Sequence, residues 1–224
     1  MKILKLGQNL GGSNRPSGDW LPTDESSLEA WYQKEVGVTL NGSDVSAWAD
    51  SSTNSHNMVQ ATASEQPAYS SGVLTFDGAG ENLQSASDIS LSGDFTVGVV
   101  LSPTTPFGTV LGDNTAAGEW LRIISATVLR IKIDNASAVD LSLDSGSWSA
   151  GYMVLTRASN TISMWWNGVL QSDTEVLSGT ADIDAIGVRK TDLNPFNGTI
   201  SEVEIFSSTS AALTANVNTR LASL

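Results

Sequence analysis

From residue 36 onward the chain is a succession of short runs in which apolar and polar residues alternate, each ended by a turn signal. Val73-Leu74-Thr75-Phe76 stops at Asp77-Gly78, and the β-branched run 94–101 stops at Pro103. Segments 120–124 and 128–133 read as two further strands. In the second, Ile131 and Ile133 alternate with Lys132 and Asp134, the pattern of a strand with one face buried. Segments 152–157 and 161–166 flank Ala158-Ser159-Asn160, a hairpin loop. Asn167-Gly168 then returns the chain onto Val169-Leu170, the strongest short-range hairpin signal present. Segments 183–188 and 199–206 complete the set. Many short strands spaced by turns predict an all-β sandwich or barrel.

Helical spacing occurs at the end. Leu213, Val217, Leu221 and Leu224 fall on one face, with Ser210 or Thr214 as the cap. The segment 23–32 stays open between two forms. Thr23 to Ser27, with their acids, suit a helix start, whereas Leu28, Ala30 and Tyr32 alternate with Glu29 and Trp31 as in a strand.

Residues 1–22 stand apart. Gly7, Gly11, Gly12, Pro16, Gly18 and Pro22 interrupt regular structure, leaving an extended N-terminal arm ahead of one domain over 23–224. Ile3, Leu4 and Leu6, with Trp20, are its candidate partner-binding residues.

Composition narrows the classes. The 224 residues carry a net charge of −13, from 24 acids against 11 bases, so the basic footprint that phosphate binding needs is missing and no nucleic-acid partner is expected. There is no cysteine, which excludes disulfides and thiolate metal sites. No run approaches the roughly 20 apolar residues of a membrane span, and the N-terminus lacks the apolar stretch of a signal peptide. The expected protein is soluble, made in a cytoplasm and without a membrane partner.

Several motifs carry a resemblance. Trp48-Ala49-Asp50-Ser51-Ser52, Phe76-Asp77-Gly78 with Leu83, Phe95-Thr96-Val97, Trp165-Trp166-Asn167-Gly168 and 195–203 resemble, in order and spacing, the laminin G-like members of the concanavalin A-like jelly rolls. The resemblance runs from about residue 28 to the end. It implies a two-sheet antiparallel jelly-roll sandwich with a short C-terminal helix. Leu28-Glu29-Ala30-Trp31-Tyr32 and 194–200 are similar to the laminin G-like proteins of tailed phages, especially those of marine cyanobacteria. That similarity implies a virion structural protein, a capsid-decoration or tail component held by its arm. Its implied partners are other virion proteins and copies of itself.

Candidate chemistry is sparse. The E-x-D-x-x-E and E-x-D-x-E patterns of concanavalin-like hydrolases are missing. The nearest approach is Glu202 and Glu204, two apart and therefore on one strand face. His56 is the only histidine and lies in a polar loop, so histidine metal sites and triads are not expected. The expectation is therefore no enzyme and no catalytic residue. Calcium, which takes oxygen ligands, suits the loops holding Asp113, Asn114, Asp192 and Asn194, with Asp182 and Asp184 a further acidic pair. Among seven tryptophans, Trp165 and Trp166 are adjacent in a strand, so one faces the core and the other faces outward, toward a glycan or an interface. A lectin-like module binding cell-surface glycans is the alternative to the virion role.

Overall fold

Strand Phe95–Pro103 organises the molecule. Phe95, Val97, Val99 and Leu101 point inward and are at most 3% exposed, while Thr96, Gly98 and Val100 point outward. This strand pairs antiparallel with Gly151–Ala158 on one side and with Asn197–Phe206 on the other. The computed structural model describes residues 20–114, 120–134, 137–189 and 192–224. Ile3, Leu4 and Leu6 lie outside the described residues.

The ladder continues from Gly151–Ala158 to Thr161–Trp166 and Val169–Val176. At its other side, the C-terminal half of Asn197–Phe206 pairs with Leu28–Tyr32 and the N-terminal half with Val73–Asp77. Seventeen strands among the described residues join one antiparallel network, which wraps a single core as a nearly closed barrel. The expected all-β fold with one short C-terminal helix is present. The expected split into two discrete sheets meets a continuous network instead, because Asn197–Phe206 changes partner along its length. Core residues such as Leu74, Phe76, Ile131, Leu155 and Ile200 are buried, each contributing about 1.5–3 kcal/mol.

Local outcomes follow from pairing. Leu28–Tyr32 is a strand, because 203–206 offer it a free edge. The loop expected over Ala158-Ser159-Asn160 is a two-residue turn. Ala158 pairs with Thr161, and Ser159 and Asn160 both take positive φ, 49° and 69°. Asn167 (49°) and Gly168 (79°) form the second such turn, the conformation that twist-matched hairpins require.

The helix Ala211–Leu221 starts where Ser210 Oγ accepts a hydrogen bond from Leu213 N–H at 3.0 Å. Leu213, Val217 and Leu221 pack on the outward face of the barrel with Val154 and Phe206. Leu224 falls beyond the helix and stays exposed. Gly98 permits this contact: a Cβ there would stand 2.8 Å from Val217 Cγ1.

Candidate functional site

The outward face beside the helix changes character along strand Gly151–Ala158. Val154 is covered by the helix, whereas Thr156 and Ala158 are too small to fill the space above them. The neighbouring strand adds Ser163 and Trp165, and the helix contributes the small residues Ala211, Thr214 and Ala215. An open groove of about 640 Å³ results, within the range of small-molecule sites. Trp165 is its one aromatic wall among the described residues and is half-buried. Asp94 and Asn218 stand at its sides; Asp94 Oδ1 accepts from Ser159 N–H at 2.7 Å. Asn218 donates through Nδ2 to Thr214 O at 2.8 Å, and its Oδ1 has no hydrogen-bond partner among the described residues.

Trp166 points the other way. It is buried and meets Trp148 edge to face at 5.0 Å between centroids. Of the adjacent pair, Trp165 is therefore the residue a ligand can reach, and the expectation is withdrawn for Trp166. Trp20 is likewise placed on its own domain rather than offered to a partner. Its ring lies 6.1 Å from that of Phe206, and its Nε1 donates to Glu25 at 3.0 Å.

Under the other flank of the helix lie Glu202 and Glu204, both fully buried. Glu202 Oε1 accepts from Trp31 Nε1 and from Arg220, each at 2.6 Å, and Oε2 accepts from Lys34 N–H at 2.6 Å. Glu204 Oε1 accepts from Arg220 Nε at 2.8 Å, while Oε2 is buried with no hydrogen-bond partner among the described residues. Arg220 lies over the Trp31 ring, 4.8 Å from its centroid. Burial, then the charge of Glu202, pushes the Glu204 carboxyl up to about 8, against the opposing pull of Arg220. The pair seats the helix and is closed to solvent.

A second acidic cluster sits at the rim. Carboxylate oxygens of Asp88, Asp113 and Asp184 lie within 4.8 Å of one another. Burial, with the charges of Asp113 and Asp88, raises Asp184 to about 6 even though Asn114 N–H donates to its Oδ1 at 2.6 Å. Three hard oxygen donors this close together fit a cation such as calcium. Among the residues expected to hold calcium, Asp113 belongs to this cluster and Asn114 supports it. Asp192 is exposed and held through its N–H to Asn114 Oδ1 at 3.2 Å. Asn194 is removed from the set: with its amide turned so that the oxygen meets donors, that oxygen accepts from Arg122 at 3.1 Å and Arg189 at 2.8 Å, positive neighbours that oppose a metal ion. Asp88 was missed because three strands must assemble before it meets the others. The Asp182–Asp184 spacing was the only local hint.

Asp50 is a further organised carboxylate. It accepts from Trp31 N–H at 2.9 Å, from Ser52 N–H at 2.8 Å and from His56 N–H at 3.0 Å, fixing the loop that holds His56. No helix among the described residues is long and apolar enough to cross a membrane.

No family model matches the chain. No curated protein matches it. Solved structures do share its fold. Trypanosoma rangeli sialidase is similar with a TM-score of 0.59 at 15% identity, over 90% of this chain and 33% of the sialidase. A mutant of that sialidase displaying trans-sialidase activity gives 0.60 at 17% identity, over 88% and 33%. Domain 4 of AbnA, a GH43 extracellular arabinanase from Geobacillus stearothermophilus, in complex with arabinotriose, gives 0.56 at 19% identity, over 87% of this chain and 98% of that one. The chain therefore spans 33% of the sialidase's length. At such identities the likeness is one of fold. It still corrects the expectation that the chain is no enzyme: the fold is shared with part of a sialidase and with a domain of a GH43 arabinanase.

Proposed function

We propose that the chain is a glycan-binding domain of the kind built into glycan-processing proteins, holding saccharide in the groove between the C-terminal helix and the 151–166 hairpin. The observation that carries this reading is Trp165. It is a half-buried aromatic face in the groove, beside the partly exposed Ser163 and Thr209, with the buried Thr156 and Thr214 also in its lining. An aromatic ring takes the C–H face of a sugar, and hydroxyl and amide groups around it take the sugar's O–H groups. Domain 4 of AbnA, similar over 87% of this chain, is a glycan complex and supports the class of ligand. Trp165→Ala should weaken binding to an arabino-oligosaccharide by roughly tenfold, the worth of one aromatic contact. Unchanged affinity, measured by titration calorimetry, would remove the groove from consideration.

The laminin G-like kinship belongs to the same proposal, supported by the Asp50 loop and the Asn167-Gly168 turn. So does the setting. The motifs similar to tailed-phage proteins favour a domain displayed on a virion, with Ile3, Leu4 and Leu6 burying apolar surface against a neighbouring virion protein. Mass spectrometry of purified particles tests it; the protein's absence from them defeats the setting and leaves the groove reading intact.

A further inference from the structure

The groove's charge says which saccharides it admits. Among the described residues its lining holds one carboxylate, Asp94, and no lysine, arginine or histidine. The remaining polar groups are neutral: Thr156, Ser163, Thr209, Ser210, Thr214 and Asn218. Arg157 stands in sequence between the lining residues Thr156 and Ala158, but strand alternation sends it through the opposite face. There it is 1% exposed and its guanidinium donates to the carbonyls of Leu91 and Gly179, each at 2.8 Å, and to that of Gly93. Its donors are spent on backbone oxygens and point away from the groove. The protein as a whole carries −13.

Binding a sugar carboxylate requires a guanidinium, an ammonium or converging N–H groups to replace its hydration. The groove offers none from side chains, and Asp94 adds a like charge. Neutral sugars meet the reverse situation. Hydroxyls donate and accept, so they match the Ser and Thr oxygens and Asp94. Resting on the glycan-binding reading, we infer that the groove takes neutral, hydroxyl-rich oligosaccharides and rejects those bearing a carboxylate, such as sialylated or uronic acid sugars. This sets the chain apart from what a sialidase-like fold alone would suggest.

The test titrates the full chain with a neutral trisaccharide, arabinotriose, and with a sialylated trisaccharide of similar length, following heat and tryptophan fluorescence. The neutral ligand should bind, and the charged one should bind at least about tenfold more weakly, the cost of one unrelieved like-charge contact at a protein surface. Raising salt should narrow that gap, and so should Asp94→Asn, which keeps an acceptor for Ser159 N–H. Ser163→Lys, at a half-buried position on the groove floor, should reverse the preference. Equal or tighter binding of the sialylated sugar, lost in Trp165→Ala, overturns the neutral class while the glycan-binding groove survives. Binding of neither sugar, or binding indifferent to Trp165→Ala and Ser163→Lys in variants whose circular dichroism is unchanged, overturns the groove itself.

Discussion

Two arginine–carboxylate sites in this protein have nearly the same bond lengths and opposite weight. Arg130 grips Asp140 through Nε at 2.5 Å and Nη2 at 2.7 Å, with the two side chains 36% and 40% exposed. Arg220 grips Glu202 at 2.6 Å and Glu204 at 2.8 Å, but its own side chain is 14% exposed and its partners are fully buried. Water screens the first and is excluded from the second. Removing a cation from solvent changes little; removing it from above two buried acids leaves Glu202 with only its Trp31 and Lys34 donors and Glu204 with none among the described residues. Distance alone does not rank these interactions, and burial does.

The largest expected effect is therefore Arg220→Ala. Among the described residues it removes the only cation over Glu202, takes the one donor from Glu204 and frees the helix from Trp31, and should cost about 3–5 kcal/mol. Thermal unfolding should fall by roughly 10 °C for a domain of this size. Arg220→Lys should recover little, since one ammonium cannot reproduce the fork across two glutamates. A loss below ~1 kcal/mol would place this site with its exposed counterpart and sink the comparison.

Glu204 gives the next effect, and its sign is fixed. Its folded pKa, about 8, lies above the ordinary value of 4.5. Stability from this group is thus complete below about pH 4.5 and declines as pH rises to about 8, at most ~1.4 kcal/mol per pH unit. Glu204→Gln cannot ionise and keeps an acceptor for Arg220. Its denaturation midpoint should exceed that of the native protein at pH 9 and match or fall below it at pH 5. Parallel curves for the two proteins across this range would show that Glu204 is ionised in the fold already.

How much of this was legible differs between the two faces of the molecule. Period-two runs, the Asn167-Gly168 turn and the Leu213–Val217–Leu221 stripe are local patterns, and the strands and helix follow them. Adjacent tryptophans in a strand had to diverge, so one exposed ring near residue 165 could be anticipated. The seat of the helix could not. Glu202 and Glu204 read as an acid pair, and only the helix's return across the sheet brings Arg220 onto them. Likewise Asp88, Asp113 and Asp184 come from three segments whose register decides their meeting. The groove was illegible for a further reason: it is a space left by small residues, Thr156, Ala158 and Ala211, and small residues give no signal in sequence.

The rim cluster sharpens the comparison from a third position, acidic and partly buried. Asp184, at about 6 against an ordinary 3.8, destabilises the fold as pH rises from about 4 to 6. Asp184→Asn should raise the unfolding temperature at pH 7. Calcium should do the same for the native protein and not for the variant, the difference being read by calorimetry with and without chelator. Stabilisation by calcium that persists in Asp184→Asn would locate the ion elsewhere.

Arg130→Ala should produce the smallest change. Asp140 is held below the usual carboxylate range by its hydrogen bonds to Arg130, so the pair stabilises the fold above about pH 4 and loses that contribution on acidification. Two facts shrink the amount. Each side chain is more than a third exposed, so water and salt replace most of what the partner provides. Arg130 also repels Arg122, whose own pKa it helps to lower, and its removal relieves that strain. The two contributions oppose each other. The net change should stay within about 0.5 kcal/mol, or 1–2 °C in unfolding temperature, and should vanish in high salt. A salt-resistant loss above ~2 kcal/mol would mean that strand Val128–Lys132 is covered in solution and that Arg130 belongs with Arg220 among the buried cations.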